Sequence, residues 1–118
     1  MKNEDKKVKD LMKVELDGID RVYLPHMLPE KGGFLDMITY KEIKDMVDFK
    51  SDEFADYGIA QNPLNGTLSW DLQKIKTEKE FSFNDHQVRF IKEALKKLDD
   101  RKEITKATIS TYVKLKEM

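Results

Sequence analysis

His26 and His86 are the first residues of this chain that could hold a metal or move a proton. A metal site needs a second ligand three or four positions along a helix, or a cluster of His, Asp and Glu. The neighbours of His86, Asp85 and Arg89, do not supply one. Glu30 follows His26 by four positions, but Pro25 and Pro29 break the helix that would align the two. Both histidines therefore read as ordinary polar or capping residues. The paired carboxylates Asp52-Glu53 and Asp99-Asp100 are adjacent in sequence, so on a helix they diverge by about 100° rather than converge. Asp52 and Glu53 suit a first helical turn, where the dipole favours acids. Asp99 to Glu103 lacks the alternating ligands and the glycine of a calcium loop. No serine or threonine, from Ser51 to Thr111, stands in a nucleophile elbow. Gly32-Gly33 lacks the Gly-Lys-Ser/Thr context of a phosphate loop. The chain has no cysteine, which removes disulfides, thiolate ligands and thiol nucleophiles together. The expectation is a protein that is not an enzyme, with no catalytic residue, no metal and no cofactor.

Charge narrows the partners. The 118 residues carry a net charge of −1, with 38% charged residues against about 25% in an average domain. DNA-binding domains concentrate Lys and Arg on one face. Here Arg89, Lys92, Lys96, Lys97, Arg101 and Lys102 are interrupted by Glu93, Asp99, Asp100 and Glu103, and read as a solvated face. Nucleic acid is disfavoured as a partner. Residues 1–60 sum to −4 and residues 61–118 to +3, an asymmetry that suits either complementary halves of one fold or head-to-tail self-association. The N-terminal residues have no apolar signal region, and no apolar run approaches the ~18 residues of a membrane span. A cytoplasmic protein without membrane attachment is expected.

The elements that must position these residues centre on Asn84 to Leu98. Val88, Ile91, Leu95 and Leu98 recur at helical spacing, with Phe90 and Ala94 widening the stripe. Asn84 and Gln87 form a capping-box pattern. Residues 1–10 read as a flexible N-terminus and residues 11–118 as one domain. Met12, Val14 and Leu16 alternate as a strand, Asp17-Gly18 marks a hairpin turn, and Asp20 to Leu24 reads as the returning strand, ended by Pro25. Pro25 to Gly33 is a loop. A short turn at 34–38 and a helix over 40–48 follow, with Leu35, Ile38, Met46, Phe49 and Ile43 inward. Ser51 caps a short helix to Tyr57 that Gly58 stops. Gln61 to Gly66 is an internal loop. Thr67 to Leu72 and Lys79 to Phe83 alternate as a second hairpin. Thr105 caps a last helix to about Lys116, with Ile109, Tyr112 and Val113 inward. The predicted fold is α+β, two short antiparallel hairpins and about four helices in the order ββαα-ββαα.

Tyr23, Phe34, Tyr40, Phe49, Phe54 and Tyr57 gather in the first half, where the elements are short. They form either the core beneath those elements or a leftover apolar patch that is an interaction surface. The loop and its flanks define the candidate surface: Tyr23, Pro25, His26, Met27, Leu28, Pro29, Phe34 and Tyr40.

The pairs Leu24-Pro25, Leu28-Pro29 and Gly33-Phe34, with Lys97-Leu98-Asp99 in the later helix, resemble a group of small uncharacterised proteins encoded by bacteriophages and prophages. The resemblance spans most of residues 12–115. It implies a mobile-element context and no catalytic residue. Small phage proteins of this size often bind and block a host or defence protein or add to a phage complex, so the expected function is a non-enzymatic protein-binding accessory factor that inhibits a host or defence protein, or alternatively a structural, self-assembling part of a phage complex. The expected partner is another protein, from host or phage, or a second copy of this chain.

Overall fold

The computed structural model describes residues 11–118. The flexible N-terminus expected over residues 1–10 lies outside them. The alternating stretch forms strand β1 (Met12–Leu16) as its pattern requires. The hairpin expected after it is corrected: residues after Asp17 form helix α1 (Gly18–Met27). Asp17 Oδ1 accepts the Asp20 N–H at 2.8 Å and Asp20 Oδ2 accepts the Asp17 N–H at 2.9 Å, a closed capping box that starts a helix where Asp-Gly otherwise signals a turn. Leu24, Met27 and the adjoining Leu28 then fall on the buried side at helical spacing. Pro25 sits inside the last turn, where it forgoes one intrahelical bond without ending the helix. Gly18 is required by packing: a Cβ there would lie 2.5 Å from Ile75 Cδ1 and 2.8 Å from Ile75 O.

Helix α2 (Phe34–Val47) is continuous, not a turn followed by a separate helix. Its buried stripe is Thr39, Ile43 and Val47, while Leu35 is 71% and Ile38 42% exposed, which corrects the predicted inward face. Thr39 donates to Leu35 O at 2.9 Å, so its hydroxyl enters the stripe already paired. A 3₁₀ turn at Ser51–Glu53 leads into the single-turn α3 (Phe54–Tyr57), stopped by Gly58 at φ 63°, the left-handed position its type predicts. Two-residue strands β2 (Ala60–Gln61) and β3 (Leu68–Ser69) form a small hairpin around Asn62 to Gly66. The expected strand over Thr67 to Leu72 is reduced to this fragment. Asp71 Oδ1 accepts the N–H groups of Gln73 and Lys74, each at 2.9 Å, and turns the chain into a 3₁₀ segment (Lys74–Lys76) that buries Ile75.

Strand β4 (Lys79–Phe83) therefore pairs with β1 and not with its predecessor. The antiparallel register sets Met12 against Phe83, Val14 against Phe81 and Leu16 against Lys79. Helix α4 (Asp85–Asp100) begins at the expected capping box, Asn84 with Gln87, and buries Phe90, Ile91, Ala94 and Leu95. Helix α5 (Ile109–Lys116) starts after a turn closed by Thr105 and Thr108. Its inward residues are Thr111, Tyr112 and Leu115, whereas Ile109 and Val113 are more than 40% exposed, a second correction of helix phase. The sum is the expected α+β class; the described residues form two two-stranded antiparallel sheets, of which β2–β3 is a local hairpin and β1–β4 is not. One core joins Leu16, Leu24, Ile43, Phe83, Ile91 and Leu115, all fully buried. Among the described residues no helix is long and apolar enough to cross a membrane.

Candidate interaction groove

The Arg21 side chain makes four hydrogen bonds and the residue is 3% exposed. Its guanidinium forks onto Glu53, with Nη1 to Oε2 at 2.9 Å and Nη2 to Oε1 at 2.8 Å. Nε donates to Val47 O at 2.9 Å and Nη2 to Asp48 O at 3.0 Å. The rings of Phe49, Phe81 and Tyr57 surround it, their centroids 4.3, 5.1 and 5.2 Å from the guanidinium carbon. Glu53 takes further bonds from Lys79 Nζ at 2.6 Å and the Lys50 N–H at 2.9 Å. The Arg21 hydrogen bond leads these contacts in holding the Glu53 carboxyl far below the usual carboxylate range, against the opposing effect of burial. This pair ties α1 to the chain between α2 and α3. The Tyr57 hydroxyl beside it is buried with no hydrogen-bond partner among the described residues.

Above this ion pair opens a hollow of about 370 Å³. Val22, Pro25 and His26 of α1 and Tyr40 and Lys44 of α2 form one side. Phe49 and Phe54 line it too, as do Leu68 and Trp70 of the hairpin region. Leu68 is 51% and Trp70 38% exposed, so these large apolar groups face solvent at the rim. Lys44 is itself paired with Asp48 at 2.9 Å.

The sequence-predicted surface is divided by the fold. Pro25, His26 and Tyr40 line the groove. Met27 and Leu28 are core residues, 6% and 4% exposed, at the base of a second hollow of about 360 Å³ that Pro29, Lys97 and Arg101 border. Tyr23 packs half-buried against the core. Phe34, 79% exposed, projects from the start of α2 beside Leu35 and Ile38. Of the remaining early aromatics, Tyr57 is fully buried with Phe49 edge-on to its ring, and Phe49 and Phe54 are half-buried. The alternation of Leu68 and Trp70 predicts the inner face of a strand, yet both stand at a surface. The signal that places them there is the breaker run before them, which leaves too little strand to be covered.

The histidines divide as well. His26 is exposed at the groove. His86 Nε2 touches Thr39 Oγ1 across α4 and α2. The Thr39 hydroxyl also reaches Leu35 O at 2.9 Å, so it bridges its own helix and His86. Thr39 is 1% exposed, and the contact ties α4 to α2. Among the described residues no group of three or more His, Asp or Glu is placed to hold a metal.

Comparison of the chain with protein-family models, with curated proteins and with solved structures returns no match.

Proposed function

We propose that this chain is a non-enzymatic protein-binding accessory factor that receives a segment of its partner in the groove between α1, α2 and the β2–β3 hairpin. The observation that carries this reading is the pair of exposed apolar side chains Leu68 and Trp70 beside a hollow whose Tyr40, Phe49 and Phe54 supply further ring surface. The charged groups of the groove support a binding role over a catalytic one. Arg21 is committed to Glu53 and Lys44 to Asp48, leaving neither as a free base or nucleophile. With the resemblance to phage and prophage proteins, the reading extends to a factor that occupies, and so inhibits, a bacterial host or defence protein.

The experiment is capture from bacterial lysate with three forms of the protein: the unaltered chain, Trp70→Ser, and Leu35→Gln as a surface control away from the groove. A partner held by the first and third and lost from the second supports the reading. A partner indifferent to Trp70→Ser moves the site elsewhere, and no partner at low salt sinks the binding function.

A second reading, a self-assembling component, has its own observation. Phe34, Leu35 and Ile38 are exposed together on α2, outside the groove. Light scattering at high concentration decides it: a strict monomer excludes assembly, and an oligomer that Leu35→Gln dissolves places the contact on α2.

A further inference from the structure

We draw no further inference here: the strongest candidate, the surface patch of exposed apolar side chains Leu64, Leu68 and Leu72 at and beside the β2–β3 hairpin, carries nothing because nothing in the structure shows what covers it.

Discussion

Asp20 and Arg21 are neighbours on α1, both nearly inaccessible and opposite in charge, yet they hold different parts of the chain. A helix turns its side chains by about 100° per residue, so the two enter different clusters. Arg21 meets Glu53 in a rigid fork, flanked by backbone carbonyls and three rings. Asp20 meets Thr111 Oγ1 and Lys114 Nζ of α5, and that ammonium is shared with Glu78. The guanidinium is fixed in direction and sealed, whereas the ammonium is compact, mobile and 30% exposed. Helix α1 is therefore held stiffly on one side and loosely on the other. The groove side rests on the fork, and the α5 side on an adjustable contact.

The largest effect is expected at the fork. Arg21→Ala leaves Glu53 charged and enclosed, and should cost about 3–5 kcal/mol in urea unfolding. The double variant Arg21→Ala/Glu53→Ala should lose less than the sum of the singles. Additive losses would show that the pair is not coupled and would remove the contrast. Asp20→Asn should cost about 2 kcal/mol, because Lys114 keeps Glu78 and water as partners. A loss equal to that of Arg21→Ala would make the clusters equivalent.

Acid separates the two clusters again. Glu53 has a depressed pKa, so its contribution is complete above the ordinary glutamate value of about 4.3 and is lost as pH falls below it. In the other cluster burial opposes the charge of Asp20, but the bonds from Lys114 and Thr111 outweigh it and lower its pKa. Burial, with the adjacent Asp20 charge, raises that of Asp17. Asp20 thus contributes stability that acid removes, and Asp17 contributes stability that acid restores, so the two partly cancel. Urea midpoints between about pH 5 and 3 should therefore flatten more in Glu53→Gln than in Asp20→Asn. The smallest effect is expected for Lys13→Met. Its partner Glu80 is 3.9 Å away and both side chains are more than half exposed, so no loss should be measurable.

Much of the frame was legible where a local signal and the global packing agree. Asn84 and Gln87 announced α4, Gly58 announced the end of α3, and Met12, Val14 and Leu16 announced a strand. Asp17-Gly18 was ambiguous because the same two residues open a hairpin or cap a helix. Only Asp20, three positions on, separates the cases, and its meaning depends on Thr111 and Lys114 far along the chain. The phase of α2 was hidden by Thr39, a polar residue inside the buried stripe, and by Leu35 and Ile38, apolar residues left outside it. The groove was half legible. Pro25, His26 and Tyr40 could be named from composition, but Leu68 and Trp70 join them only through the tertiary fold. Arg21 carried no local sign at all of the ion pair it makes with Glu53.

The pairing of β1 with β4 also sets an order of events. Residues 17–78 lie between the two strands, so the sheet joins positions that diffuse independently in the unfolded chain. Closing so long a loop is entropically expensive and is rewarded only when both strands meet. Helices α4 and α5, neighbours in sequence and in space, can form and dock without waiting for it. The sheet is thus a late clasp. The contacts it closes sit on the far side of the folding barrier, where Val14→Ala should speed unfolding and leave the folding rate nearly unchanged.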